Sequence, residues 1–261
     1  MAIEPPPEGT RPDEHAAMTE RRPLSRINTE TGINTETGIN TETGINTETG
    51  INTETGINAD TGTDAGHGIG IGIVLFDDVE ELDAVGPWEV LTYWARHFPG
   101  DGVRVWTVAR RREVRCAKGL TVLADHTPDD APPATVLVHP GGAGTRPLMR
   151  DEDWLAWVRE QRAHVPLMTS VCTGSLVYAA AGLLRDRPAT TYWGALDELR
   201  AADPTVDVRS DDRFVDDGDV ITSSGVSAGI DMALHLVLRL AGRERARAVR
   251  RGIQYDPEPP V

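Results

Sequence analysis

The chain holds two cysteines, Cys116 and Cys172, and the surroundings of the second could do chemistry. Val165 to Val171 is an apolar, β-rich run, Thr173-Gly174-Ser175 follows Cys172 as a turn, and small residues from about Leu176 to Leu184 predict a helix. A strand that breaks sharply into a helix carries its corner side chain in a strained, exposed position, the nucleophile-elbow arrangement. The helix start aims N–H groups and a positive dipole end at that corner. This predicts a thiol with a lowered pKa, nucleophilic at neutral pH. The same pattern also fits a core cysteine, because free Cys is among the most buried residue types.

Three further segments fall at strand ends or loops where they could meet this thiol. Asp83 follows the first predicted strand, just before a helix predicted over Gly86 to Arg96 with Pro87 in its first turn. It could cap that helix, or bring a carboxyl to the thiol and exchange a proton with it. Gly141 and Gly142 follow Pro140 at another strand end. Their N–H groups could form an oxyanion hole, or simply allow a tight turn. Ser224 and Gly225 lead from a late strand towards a helix and could wall a pocket, or only start the helix with small residues. Beside the thiol, the Thr173 hydroxyl could bind substrate or water, or cap the elbow helix.

These residues need a frame to position them. Predicted strands at Gly68–Phe76, Val103–Ala109, Val136–His139, Val206–Ser210, Arg213–Asp216 and Val220–Ser223 alternate with predicted helices at Gly86–Arg96, Asp151–His164, Leu176–Leu184, Tyr192–Ala202, Gly225–Leu240 and Arg243–Ile253. Glu113 to Asp125 reads as a β-hairpin about Gly119. Alternating strands and helices predict an α/β fold with a doubly wound, mostly parallel sheet, helices on both faces and a hairpin insert. Ligands in such sheets bind beyond the C-terminal strand ends, where all four segments fall.

The folded domain is expected over residues 67–261, long enough for one sizeable core. Residues 1–66 read differently. Ile27-Asn-Thr-Glu-Thr-Gly32 recurs at Ile33, Ile39, Ile45 and Ile51, and in altered form at Ile57. One Ile in six residues buries too little to offset ordering entropy, so an acidic, disordered tail is expected there. The net charge of −15 argues against nucleic-acid binding. The cluster Arg243 to Arg251 reads as a solvated helix face. Two cysteines make no disulfide framework and suit a reducing cytoplasm. No Cys or His group has metal-ligand spacing, so neither metal nor cofactor is expected. No apolar run is long enough for a membrane helix, and no signal peptide is visible.

The order Leu82-Asp83…Gly86-Pro87, His139-Pro-Gly-Gly142, Thr169-Ser-Val-Cys-Thr-Gly-Ser175, Ala181-Gly-Leu-Leu184, Ala189-Thr-Thr-Tyr-Trp193, Ser224-Gly225…Ala228-Gly-Ile-Asp231 and Gln254-Tyr-Asp-Pro-Glu-Pro-Pro260 resembles the ThiJ/PfpI superfamily. The resemblance covers about Gly70 to Pro260. It implies the flavodoxin-like, class I glutamine amidotransferase-like fold, a homodimer and a small-molecule substrate. It carries the catalytic roles onto Cys172, its neighbour Thr173 and the acidic Asp83. Relatives often have His where this chain has Thr173 and Tyr192, so a Cys–His proteolytic dyad is not expected. The Ser-Val-Cys-Thr-Gly-Ser-Leu run implies instead the hydration of a small isonitrile to an N-substituted formamide. Tyr192 and Arg146 depart from the superfamily near the substrate pocket. Two other expectations stand beside this one. The first is a ligand-sensing domain like the front half of AraC-type regulators, which carry a DNA-binding tail of about 100 further residues. The second is a glyoxalase- or deglycase-like thiol enzyme.

Overall fold

The structure, a computed structural model, describes residues 68–257. The repeat and its expected disorder lie outside them. Ten strands form: β1 (Gly70–Val74), β2 (Arg104–Val108), β3 (Glu113–Arg115), β4 (Thr121–Leu123), β5 (Val136–His139), β6 (Leu167–Val171), β7 (Pro188–Ala189), β8 (Asp207–Val208), β9 (Phe214–Asp216) and β10 (Val220–Ser223). Seven α-helices accompany them: α1 (Glu81–His97), α2 (Thr145–Leu148), α3 (Glu152–His164), α4 (Gly174–Ala180), α5 (Leu196–Ala202), α6 (Ala228–Ala241) and α7 (Arg243–Gly252).

Six strands make the main sheet in the order β2-β1-β5-β6-β10-β9, parallel throughout except for the antiparallel edge strand β9. Every residue of β1, β5, β6 and β10 is buried, as expected of parallel strands covered on both faces. The chain steps from β1 to β2 in one direction and from β5 through β6 to β10 in the other. Right-handed crossovers therefore put α1 on one face and α3 and α4 on the opposite face. α6 and α7 pack on α1, while α4 packs against α2, α3 and α5. Trp94 of α1, Trp154 of α3 and Tyr178 of α4 are the largest fully buried side chains. The change of direction between β1 and β5 opens a crevice at the C-terminal strand ends, the position where such sheets bind ligands.

The hairpin β3–β4 turns at Gly119, which adopts φ +96°. It is tied to the loop after β1 by Asp78 N–H donating to Arg115 O (2.8 Å) and Ala117 N–H donating to Val79 O (2.9 Å). Several boundaries differ from expectation, those of α1, α4 and α6 among them. Helix α1 begins at Glu81 rather than Gly86, so Pro87 lies inside it and Asp83 sits in its first turn. Proline has no N–H to offer the carbonyl four residues back, which is that of Asp83, so sequence reading placed the helix start one turn late. Helix α4 stops at Ala180 because Gly182 turns the chain at φ +83°. Helix α6 starts at Ala228, leaving residues 224–227 as a loop beside the crevice.

Candidate active site

Cys172 follows β6 directly and has φ +55°, the left-handed region that an L-residue enters at a cost of about 1–2 kcal/mol. The surroundings fix that conformation. Its N–H donates to Ser223 O (3.0 Å), and its carbonyl accepts from the hydroxyls of Thr191 (2.9 Å) and Ser175 (3.1 Å). The elbow expected from sequence is therefore present, but the thiol is buried, with 6 % of Cys172 exposed.

Asp83 is brought to the thiol by the first turn of α1 and is fully buried. One oxygen, Oδ2, accepts from Gly141 N–H (3.0 Å). The Cys172 thiol stands close enough to act on the carboxyl and favours its charged form. Oδ1 is buried and has no partner of regular hydrogen-bond geometry. Burial raises the Asp83 pKa to about 7, against the lowering effect of the thiol and of Gly141 N–H. Burial, and then the Asp83 charge, push the Cys172 thiol up to about 12. The expectation of a lowered thiol pKa is thus corrected. Thr173 N–H does act on the sulfur in the expected sense, but desolvation beside a carboxyl outweighs it.

The two glycines do not point open N–H groups at a ligand. Gly141 N–H is taken by Asp83, and Gly142 N–H donates to Thr173 Oγ1 (3.0 Å). The Thr173 hydroxyl in turn lies 3.2 Å from Gly142 O and 3.2 Å from Thr145 Oγ1. Thr173 therefore clamps the elbow to the loop after β5. A side chain at residue 141 would put its Cβ 2.6 Å from Thr173 N and 2.8 Å from Asp83 Oδ2, so only glycine allows this approach. The loops after β1 and β5 are joined as well, by a bridge between Val79 and Gly142 and by Glu80 N–H donating to Gly141 O (2.9 Å).

The cleft above the thiol has a volume of about 1070 Å³ and is lined by Cys172, Thr173, Gly142, Leu82, Tyr192 and Val226, among others. Charged groups at the cleft are mutually paired. Lys118 of the hairpin pairs with Glu80 and Glu81, and Arg146 makes a two-pronged contact with Glu198 at 2.9 and 2.7 Å. Ser224 and Gly225 stand behind the cleft rather than lining it. Ser224 O accepts from Cys172 N–H (3.3 Å), and a Cβ at Gly225 would meet the Tyr192 ring at 2.4 Å. Sequence reasoning singled out neither Leu82 nor Val226, whose side chains carry no chemistry, nor a role for the Thr191 hydroxyl, which is spent on the Cys172 carbonyl. No histidine lines the cleft. Among the described residues no group of three or more His, Cys, Asp or Glu side chains is set to hold a metal ion.

A buried thiol on a left-handed elbow, facing an acid from the first helix of a doubly wound sheet, defines a class of protein, and comparison with known sequences gives it a name. The DJ-1/PfpI family model matches residues 70–239, and the chain belongs to that family. Isonitrile hydratase from Pseudomonas putida is 42% identical over 192 residues, covering 73% of this chain and 80% of that protein. A crystal structure of a ThiJ/PfpI family protein from Pseudomonas syringae superposes with a TM-score of 0.68 at 30% identity, covering 80% of this chain and 86% of that one. The HTH-type transcriptional regulator GbdR from Pseudomonas aeruginosa is 32% identical over 145 residues; the match covers 56% of this chain and 39% of the regulator's length.

Proposed function

We propose that the protein hydrates a small isonitrile to an N-substituted formamide, with Cys172 as nucleophile and Asp83 as acid. The observation that carries this reading is the buried Asp83–Cys172 pair facing a cleft with no histidine. Near neutrality the thiol keeps its proton, while Asp83, with a pKa raised to about 7, exchanges between its acid and carboxylate forms. An isonitrile needs such a pair, since its terminal carbon takes up a proton and a nucleophile at the same atom. Asp83 gives its proton to that carbon, the sulfur bonds to it, and the thiol proton passes to the Asp83 carboxylate. The product is a thioimidate, R–N=CH–S–Cys172. Water then adds across the C=N bond, its hydroxyl going to carbon and its proton to nitrogen. The tetrahedral adduct collapses to R–NH–CHO and returns the thiol. Thr173, which clamps the elbow, and Gly141, which donates to Asp83, hold the two reacting groups together. Gly142, Tyr192 and Val226 wall the substrate's side, with Ser224 and Gly225 supporting from behind.

Similarity to the Pseudomonas putida hydratase supports this reading. Similarity to the GbdR regulator favours a second one, a domain that binds a small molecule without turning it over. The assay that separates them is formamide release from cyclohexyl isocyanide. Turnover is expected, and loss of turnover in Cys172→Ala. Absence of product from the wild-type protein, or an active Cys172→Ala, would overturn the hydratase reading. Homodimerisation belongs to the same proposal. Exposed Val85 of α1 lies beside exposed Leu120 and Leu123 of the hairpin, an apolar group suited to a second copy. No described helix is long and apolar enough to cross a membrane; a reducing cytoplasm, which keeps the thiol free, is the compartment the reading assumes.

A further inference from the structure

His139 ends β5 and is completely buried, yet it takes no part in the chemistry above. Its neighbours are rings: Phe76 at 5.4 Å, Tyr178 at 5.7 Å and Trp154 at 6.0 Å between centroids. Two hydrogen bonds fix it. Trp154 Nε1 lies 3.2 Å from His139 Nε2, and His139 Nδ1 lies 2.9 Å from Pro140 O. An indole nitrogen only donates, so Nε2 must be the acceptor. In a neutral imidazole the proton is then on Nδ1, and Nδ1 donates to the Pro140 carbonyl. Burial holds the ring neutral, with its pKa lowered to about 4.

The peptide between Pro140 and Gly141 is trans, as all described peptides are. In a trans peptide the C=O and N–H point in opposite directions. The carbonyl faces His139, so the Gly141 N–H faces the other way, towards Asp83 Oδ2. The donors run in one direction: Trp154 to His139, His139 to Pro140, Gly141 to Asp83. We propose that His139, in the tautomer imposed by Trp154, is a positioning residue that sets the Pro140–Gly141 peptide and through it the acid of the Asp83–Cys172 pair. Trp154 is itself held from outside, where Asp151 caps α3 by accepting from Trp154 N–H (3.0 Å) and the Arg110 guanidinium lies 5.0 Å from the indole. The catalytic meaning of this inference rests on the hydratase reading; its physical content, control of the Asp83 carboxyl, does not.

The test follows the Asp83 carboxyl carbon by NMR titration in the full chain, labelled at aspartate and assigned with Asp83→Asn. The groups acting on that carboxyl are the Cys172 thiol, Gly141 N–H, Glu80 and Lys118, and none of these is altered. In His139→Leu the peptide loses its anchor, the carboxylate loses a directed donor, and the midpoint is expected to rise by about one pH unit. In His139→Asn the side-chain amide puts a donor near the place of Nδ1, and the midpoint is expected to return. Trp154→Phe frees the tautomer and is expected to shift the midpoint in the same direction by less, which keeps the test open if His139→Leu does not fold. An unmoved midpoint in His139→Leu, or in Trp154→Phe should the first not fold, overturns the proposal. So does an upward shift that His139→Asn fails to reverse, since packing alone would then explain it. In the isonitrile assay kcat is expected to fall with KM retained. If the wild-type protein releases no formamide while the midpoint still moves as stated, the hydratase reading fails and the positioning role stands.

Discussion

Replacing Asp83 by Asn tests whether the acid is stored at a cost to the fold. An Asn at this place keeps an oxygen for Gly141 N–H and adds no charge at any pH. The wild-type carboxyl has an ordinary pKa of 3.8 when unfolded and about 7 when folded. A raised folded pKa means that the native state holds the proton more tightly, so stability is greatest at low pH and falls as pH rises from about 4 to about 7. Each pH unit in that window is worth about 1.4 kcal/mol. Between pH 5 and pH 8 the folded group crosses about two such units, so the wild type should lose about 2.7 kcal/mol that Asp83→Asn does not. Urea unfolding of both proteins at the two pH values measures it, and the other titrating groups cancel in the comparison. The stability difference between variant and wild type is therefore expected to shift by about 2.7 kcal/mol in the variant's favour between pH 5 and pH 8. Parallel pH dependence of the two would refute the claim that Asp83 is a desolvated, protonated acid.

Two more outcomes follow from the same geometry. Gly141→Ala should abolish turnover and leave Cys172 in a displaced elbow, because its Cβ meets Thr173 N and Asp83 Oδ2 within 2.8 Å; a crystal structure with an undisturbed Asp83–Gly141 contact would contradict this. Iodoacetamide should label Cys172 slowly. A thiol raised from 9 to about 12 has about a thousandth of the thiolate at neutral pH, partly offset by greater intrinsic nucleophilicity, for a net slowing of about thirtyfold against a free thiol. Asp83→Asn should speed labelling by removing the adjacent charge, and peptide-resolved mass spectrometry separates Cys172 from Cys116.

The sheet and its strands were legible because buried parallel strands write themselves as continuous apolar runs, as in Val136–His139 and Leu167–Val171. The corner at Cys172 was legible from the strand running into small residues. The state of its thiol was not: periodicity gives the turn but says nothing of how deeply the sulfur sits or which charge stands beside it. Asp83 was found as a residue near the site, while Pro87 concealed that it lies within α1. Gly141 and Gly142 announced a close approach of backbone, but not that Asp83 and Thr173 would be the acceptors. His139 and Trp154 are fifteen residues apart and gave no sign of their contact.

The segments that carry the acid, the glycines and the thiol follow β1, β5 and β6, which neighbour one another in the sheet but are far apart in the chain. The pair and the strands that place it are spread over the stretch from Gly70 to Cys172. Parallel pairing also requires long loops to close before its contacts repay the entropy lost. The Asp83 carboxyl therefore remains hydrated, and ordinary, until β1, β5 and β6 are aligned. Its unusual proton affinity marks completion of the whole topology.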